Sequence, residues 1–496
     1  MGDVMAQAVR HDAMRARNLA LVLGELGARG ALTRAALAEI TGLTKTTVSK
    51  LVADLIEAGL VLEAGAVRDG ERGRPGVAVR ISGEHVAAVG LEINVDYLSV
   101  RVVDLARTVR LRRTQAVDNR SAQPVDVLAR LRDLALQAVD EAVEAGLRVV
   151  GGVLAVPGPV DLATGTVHNA PNLGWRDVPV SSLLSMPFPM WVENEANLAA
   201  LGELWFGRGL PDFLHVSGEI GIGAGLVVQG RLFRGARGFA GELGHVAVSP
   251  DGPACRCGGR GCLEQYAGQD ALLAAAGGPV VRQHHAGAPG TPPSETPGAP
   301  PSATPGTLPS ETPDAPPNQA RGALPTEAPG APPSATPGTL PSETPDAPPN
   351  QARGALPSET PGAPPSEARG TPPSATPGDR LEPGDQGVGW IVSRLLAGDE
   401  AALRACERAG WALGVALCSA INLVDPDAIV LGGIYAPLFP WIGGVVADML
   451  ASRLGQMRDG VPPVVVSHLG TEAAALGAAG QVIQRVIADP AAALQH

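Results

Sequence analysis

The chain has 496 residues, of which 45% are apolar and 18% charged, and its formal net charge is −12. That length leaves room for two or three domains with sizeable cores. The acidic balance excludes an indiscriminate nucleic-acid coat protein, and no uninterrupted apolar run reaches the ~20 residues of a spanning helix. The start of the chain lacks a charged segment followed by an apolar run, so a cytoplasmic location is expected.

Charge is unevenly spread. Residues 1–80 hold eleven Arg/Lys against nine Asp/Glu, a balance of +2 that leaves −14 for the remainder, and both lysines of the chain, Lys45 and Lys50, lie there. A locally positive segment on an acidic protein fits specific docking to DNA. Within it, Leu19, Val22, Leu23 and Leu26 mark an amphipathic helix that the stretch Gly27–Gly30 ends. Thr33 caps a second helix, with Leu37 and Ile40 inward, which stops at Thr41-Gly42-Leu43, a turn of the kind that joins crossed DNA-binding helices.

A third helix is expected from Thr44 to about Ala58, with Val48, Leu51, Val52 and Leu55 toward the core. Its early polar residues Thr44, Lys45, Thr46, Thr47, Ser49 and Lys50 then face outward, where the start of a recognition helix meets base edges and phosphates. Leu60–Glu63 and Val77–Ile81 read as a hairpin. Its basic tip holds Arg72 and Arg74, which suit an adjacent minor groove. Residues 1–82 therefore read as a winged helix-turn-helix; a small helical domain for protein contacts is the alternative.

From residue 85 strands and helices alternate, as in an α/β domain. Val86–Ile93 and Leu98–Leu105 are apolar strands, Val125–Ala145 a long helix, and Val149–Val156 a third strand. Trp191–Asn197 is a strand end turning into a helix over Leu198–Trp205. A second strand-rich lobe begins near Phe213, where Gly218, Gly221, Gly223 and Gly225 fit a backbone nest for an anion, although such glycines are common at hairpin turns. The helix Glu400–Asn422 leads into a buried strand ending at Gly432-Gly433.

The densest chemistry lies between Gly241 and Glu264. His245, Cys255, Cys257 and Cys262 offer one imidazole and three thiols in one short loop, the Cys₃His set that Zn²⁺ accepts in closed structural sites. Gly258, Gly259 and Gly261 let the loop fold tightly. Glu242 and Glu264 are then left to accept hydrogen bonds from hydroxyls, while Cys406 and Cys418 sit in an apolar helical stretch and read as core. Free thiols or a redox pair are the alternative to zinc.

Residues 288–385 hold 28 of the chain's 46 prolines, and Gly298–Pro325 recurs unchanged as Gly330–Pro357. Each repeat lacks apolar residues to bury, so a disordered, polyproline-like insertion is expected. It divides the α/β domain into 85–287 and 386–487.

Four motifs then resemble the ROK family of sugar-responsive repressors and sugar kinases. They are Gly-Glu-Leu-Gly-His245, the three cysteines with Gly-Cys-Leu-Glu264, Ala-Pro171-Asn-Leu-Gly-Trp175, and Glu-Asn194-Glu195-Ala-Asn197. The resemblance implies a two-lobed, actin-like and hexokinase-like fold, with His245, Cys255, Cys257 and Cys262 holding structural zinc. It also implies a sugar site lined by Asn194, Glu195, Glu242, His245 and Glu264, with Glu195 where the kinases have their catalytic Asp. The stretch matching the kinase phosphate loop, Gly90-Leu-Glu92-Ile-Asn94-Val-Asp96-Tyr97, has lost its Gly and Thr and gained acids, so it should repel ATP.

The resulting expectation is a sugar-responsive, DNA-binding transcriptional regulator, a repressor of carbohydrate genes with no catalytic residues. Its partners would be double-stranded operator DNA, a sugar effector and further copies of itself, in a homodimer or homotetramer. Gly432-Gly433 resembles the family's adenosine-contacting motif, which keeps an ATP-dependent sugar kinase as the alternative.

Overall fold

The computed structural model describes residues 2–67, 76–120, 122–278, 386–456, 458 and 460–493. The Pro-rich segment expected at 288–385, and Arg72 and Arg74 of the hairpin tip, lie outside the described residues.

The N-terminal part runs α1 (Gly2–Arg29), β1 (Leu32–Thr33), α2 (Arg34–Thr41), α3 (Lys45–Glu57), β2 (Val61–Val67) and β3 (Gly76–Ile81). Its strands form an antiparallel sheet in the order β1-β3-β2. Caps set the helix-turn-helix: the Thr33 hydroxyl accepts from Ala36 N, Gly42 ends α2 at φ 70°, and the Thr44 hydroxyl accepts from Thr47 N. Each hydroxyl satisfies an amide that the first helical turn leaves without a partner. Ile40, expected inward, is 37% exposed. Leu37 and Ala38 fix the buried stripe of α2, and Ile40 lies roughly 110° from its middle at ~100° per residue.

The body of the chain is the same path walked twice. In the first lobe β4 (Val86–Ile93), β5 (Tyr97–Asp104) and β6 (Val109–Ala116) form an antiparallel meander, and α4 (Pro124–Glu144) crosses back to β7 (Arg148–Val156), parallel to β4. A small sheet of β8 (Val160–Asp161), β9 (Thr166–Ala170) and β10 (Trp175–Pro179) and the short α5 (Val180–Leu183) follow. Then come β11 (Met190–Asn194), parallel to β7, and α6 (Glu195–Phe206).

The second lobe repeats the order with β12 (Phe213–Gly218), β13 (Ile222–Val228) and β14 (Arg231–Phe233) as its meander. Helices α7 (Glu264–Ala267), α8 (Gln269–Ala275), α9 (Gln386–Leu396) and α10 (Glu400–Val424) precede β15 (Ala428–Gly433), parallel to β12. After α11 (Tyr435–Leu454) come β16 (Val464–Val466), α12 (Ala473–Ala488) and α13 (Pro490–Ala493). The two sheets, β11-β7-β4-β5-β6 and β14-β13-β12-β15-β16, have equivalent strand orders.

Helix α6 follows the last strand of one sheet as α12 follows the last strand of the other, and these two helices pack on each other. Their approach needs glycine. A Cβ on Gly477 would lie 1.8 Å from the Leu198 carbonyl oxygen, and one on Gly202 would lie 2.1 Å from that of Ala473. Helix α12 also crosses β4 at Gly90, where a Cβ would lie 1.8 Å from the Ala475 oxygen.

The far end of α12 carries the N-terminal part. Ile483, Val486 and Ile487 share one apolar cluster with Leu19, Leu23 and Leu26 of α1, Val48 and Leu51 of α3, and Leu198 and Leu201 of α6. The N-terminal helices and the lobes therefore share a continuous core rather than meeting through a bare linker.

Because overpacking of this kind costs roughly 1–3 kcal/mol or more, Gly477→Ala should unfold at clearly lower urea concentration than the parent. Gly444→Ala on α11, with nothing within 4 Å of the new carbon, should be neutral or stabilising by up to ~1 kcal/mol. Equal midpoints for the two variants would contradict the packing described.

Candidate functional site

A cavity of about 380 Å³ opens between the lobes. From the first lobe it takes the β4–β5 loop at Asn94, the turn Pro157–Pro159, Asn172 after β9, and the start of α6. From the second it takes Glu219 after β12, the segment Gly238–Glu242, and His245, Arg256 and Glu264. All five residues expected at a sugar site, Asn194, Glu195, Glu242, His245 and Glu264, line this one cavity.

Their roles differ. Asn194 caps α6: its Oδ1 accepts from Asn197 N at 3.1 Å and its Nδ2 donates to the Gly158 carbonyl at 2.9 Å. Both ends of the amide are thus engaged in holding the strand-to-helix turn that aims Glu195. The preceding Glu193, 3% exposed, anchors the same turn by accepting from Arg234 at 2.6 and 2.9 Å and from Asn197 Nδ2 at 3.1 Å. Glu195 is half-buried and receives a hydrogen bond from Ser217.

His245 lies on a single 3₁₀ turn, Leu243–His245. Its Nδ1 is 3.8 Å from the Cys255 sulfur, and its Nε2 is 3.9 Å from a Glu242 oxygen, so the ring stands between a thiol cluster and a cavity carboxylate. Glu264 joins the two regions more tightly than expected. Its Oε1 accepts from the Cys255 thiol at 3.2 Å, which leaves chiefly Oε2 for a ligand.

His245, Cys255, Cys257 and Cys262 offer one ligand atom each, all within 4.8 Å of one another, and the Cys257 and Cys262 sulfurs are 3.6 Å apart. Tetrahedral coordination at ~2.3 Å per sulfur requires sulfurs about 3.8 Å apart, so the cluster has the donor set and the dimensions to hold a metal ion. Gly261, at φ 64°, is needed here, since a Cβ would lie 1.6 Å from the Ser249 oxygen. Cys406 and Cys418 are buried on α10, as expected for core.

The sequence reading missed several cavity residues. Asn172 accepts from Arg256 Nη1 at 2.9 Å, pinning a guanidinium whose residue lies between Cys255 and Cys257 in the chain. Glu219 accepts from Asn94 Nδ2 at 3.4 Å. Of the glycines around it, Gly223 and Gly225 serve packing: a Cβ on either would lie within 2.5 Å of Ala196 or Ala200 on α6. The signal for Asn172 was present in the Pro171-Asn-Leu-Gly motif.

Carboxyls crowd together at the cavity and behind it: Glu195 and Glu219 line it, and Glu92 is buried nearby. Glu92, 2% exposed, accepts from the Tyr97 hydroxyl at 2.8 Å, while its Oε2 is buried without a hydrogen-bond partner. Burial, then repulsion from Glu195, pushes the Glu92 carboxyl up to about 8. Burial also lifts Glu195 to about 7, and burial with repulsion from Glu195 and Glu92 raises Glu219 well above the ordinary carboxyl range.

On the N-terminal part, Thr44, Lys45, Thr46, Ser49 and Lys50 are exposed along the first turns of α3, and Thr47 is half-buried. The Thr44 and Thr47 hydroxyls are 2.8 Å apart and occupied with each other, so the outward face is led by Lys45, Thr46, Ser49 and Lys50.

The family model described as ROK family matches residues 88–289 and 387–485, more than half of the chain. The chain belongs to the ROK family. A model of the MarR family matches residues 19–73, so the ROK domain is preceded by a MarR-type winged helix. The chain is 34% identical over 268 residues to the xylose repressor of Caldicellulosiruptor bescii, covering 53% of this chain and 66% of that protein, just under two thirds of its length. Over 124 residues, 24% of this chain and 38% of the relative, it is 42% identical to a glucokinase of Halalkalibacterium halodurans. A crystal structure of a ROK family transcriptional regulator, a homolog of E. coli MLC protein, matches 97% of this chain and 100% of its own at a TM-score of 0.62 and 20% identity, which supports the fold.

The raised Glu92 carboxyl makes stability depend on pH in a definite direction. A folded-state value of about 8 against 4.5 means the native state holds a proton that the unfolded chain releases. The stabilisation is complete below pH ~4.5 and is lost as pH rises through ~8, at up to ~1.4 kcal/mol per pH unit. The urea midpoint should therefore fall between pH 6 and 8, and fall less in Glu92→Gln, which keeps the Tyr97 partner. Equal slopes in the two proteins would contradict the assignment.

Proposed function

We propose that the chain is a sugar-responsive, DNA-binding transcriptional regulator, a repressor of carbohydrate genes, whose ROK domain binds its effector without phosphorylating it. One observation carries the reading: a winged helix shares its apolar core with a ROK domain whose inter-lobe cavity is lined by Glu195, Glu219, Glu242 and Glu264. A nucleotide needs cationic or N–H donors at its phosphates. Carboxylates instead accept hydrogen bonds, which suits sugar hydroxyls.

In this reading Glu195, Glu242 and Glu264 accept from ligand hydroxyls, His245 Nε2 contributes from the opposite wall, and Asn194 orients Glu195. The ligand-set Cys255, Cys257, Cys262 and His245 Nδ1 holds structural Zn²⁺, which cross-links the loop bearing Glu264 and Arg256. Engaging Nδ1 on that side fixes the ring so that Nε2 faces the cavity. Lys45 and Lys50 meet phosphates, while Thr46 and Ser49 face base edges. Thr44 and Thr47 hold the helix start, and Arg72 and Arg74 are assigned to the minor groove.

Operator DNA as partner implies a cytoplasmic protein, and paired half-sites imply a homodimer or homotetramer. Similarity to a xylose repressor supports D-xylose or a related sugar as effector. The kinase alternative draws support from the glucokinase similarity, which spans only part of each chain.

Lys45→Ala and Lys50→Ala should each weaken operator binding and reduce its salt slope by about one unit. Unaltered binding would remove α3 from the interface. With Mg-ATP and a panel of pentoses, hexoses and amino sugars the protein should form no sugar phosphate; measurable turnover would favour the kinase. The purified protein should contain about one zinc ion per chain, lost in Cys257→Ala together with a drop in thermal midpoint. Metal-free protein with an unchanged midpoint would refute the zinc assignment.

A further inference from the structure

Most of the cavity lining can satisfy hydroxyls, but one side chain offers a different surface. Among the described residues that line the cavity, Phe239 is the one phenylalanine, tyrosine or tryptophan. It is 52% exposed, whereas the aliphatic side chains of the same lining, Val95, Ile220 and Ile222, are 4, 8 and 7% exposed and belong to the apolar clusters of the lobes. Phe239 thus contributes little to a core and presents a large apolar face where a ligand would lie.

The loop that carries Phe239 is tied at both ends. It leaves β14 at Arg234, whose guanidinium donates to Glu193 at 2.6 and 2.9 Å, and Ala240 N closes the turn by donating to the Arg234 carbonyl at 3.1 Å. At the far end the Gly241 carbonyl accepts from Ala224 N of β13 at 3.0 Å. Gly241 has φ 102° and runs so close to that strand that a Cβ would lie 2.0 Å from the Ala224 oxygen. Glu242, the next residue, lines the same cavity, as does His245. The ring is therefore kept beside the polar groups of the site, and little ordering is left for a ligand to impose on it.

A pyranose in its chair form carries hydroxyls around its rim and C–H bonds on its faces. The rim suits hydrogen-bonding groups such as Glu195, Glu242, Glu264 and His245. The C–H face, apolar and slightly positive, suits the negative face of an aromatic ring. An open-chain polyol offers similar hydroxyls but no fixed face, and it loses more rotational freedom on binding.

We propose that Phe239 is a specificity-determining residue that selects a cyclic sugar over an open-chain polyol by stacking on its C–H face. This rests on the reading of the cavity as a sugar site, and adds to it the ring form of the ligand and the group that recognises that form.

The test is titration calorimetry of the full-length protein and of Phe239→Ala, Phe239→Leu and Phe239→Tyr, each checked for an intact thermal transition. The probes are two matched pairs, D-xylose with xylitol and D-glucose with D-glucitol, and the quantity read is the ratio of ring to open-chain affinity in the pair that binds. The parent should prefer the ring by about threefold or more. An aromatic contact is worth about two- to tenfold in affinity, so Phe239→Ala and Phe239→Leu should each cut the ratio by about threefold or more. Phe239→Leu keeps apolar bulk without the aromatic face; Phe239→Tyr keeps the face and should retain more of the preference than Phe239→Leu.

A parent with a smaller preference overturns the proposal, as does a ratio that falls by less than about threefold in Phe239→Ala or Phe239→Leu. So does a Phe239→Tyr protein that loses as much as Phe239→Leu. In each of these cases a sugar still binds and the sugar reading stands. If no probe binds the parent, the sugar reading itself fails and the proposal falls with it.

Discussion

The contact on which the rest of the structure depends is the crossing of α6 and α12. Gly202 and Gly477 bring the two helices to backbone distance, where a single methyl group would collide with a carbonyl oxygen. At that separation neither helix can shift without the other. Helix α6 begins at Asn194 and Glu195 in the cavity, and α12 ends at Ile483, Val486 and Ile487 against α1. The cavity and the N-terminal winged helix are therefore attached to opposite ends of one packed pair.

The parts that hold the two-lobed scaffold are distinct from the groups that line its cavity. The duplicated sheets, the glycine packing at Gly223 and Gly225 and the caps at α6 are architectural, and they hold the cleft regardless of what fills it. What differs is charge. Glu195 and Glu219 come from the two lobes and line one cavity, with Glu92 buried nearby; burial holds all three carboxyls up, and repulsion from Glu195 adds to it at Glu92 and Glu219. On the opposite wall the Cys255 thiol donates to Glu264, and the ring of His245 stands between the thiol cluster and Glu242.

Much of this was legible in the sequence because local chemistry announced it. Thr33, Gly42 and Thr44 fixed the helix-turn-helix through capping, and three cysteines with one histidine in a glycine-rich loop converge as their spacing implies. Features set by tertiary packing were not legible. The role of helix α12 was not legible because its first half, Ala473–Gly480, is nearly all Ala and Gly, and small residues mark a close helix crossing only once the partner helix is in place. Glu219 lies 127 positions from Glu92, and only the fold brings the two carboxyls near each other. Asn194 was read as a ligand contact from its motif, yet both ends of its amide are spent on backbone groups.

The central claim is that the cavity and the N-terminal winged helix are mechanically joined, and, with DNA binding as proposed, reciprocity gives it a direct measurement. Whatever factor a sugar changes operator affinity by, the operator must change sugar affinity by the same factor. The affinity of the full chain for D-xylose and D-glucose should therefore be measured with the protein free and with it saturated by operator DNA. The account predicts that the sugar that binds does so with affinities differing by about fivefold or more between the two states. Equal affinities would mean that the shared core transmits nothing, and would contradict it.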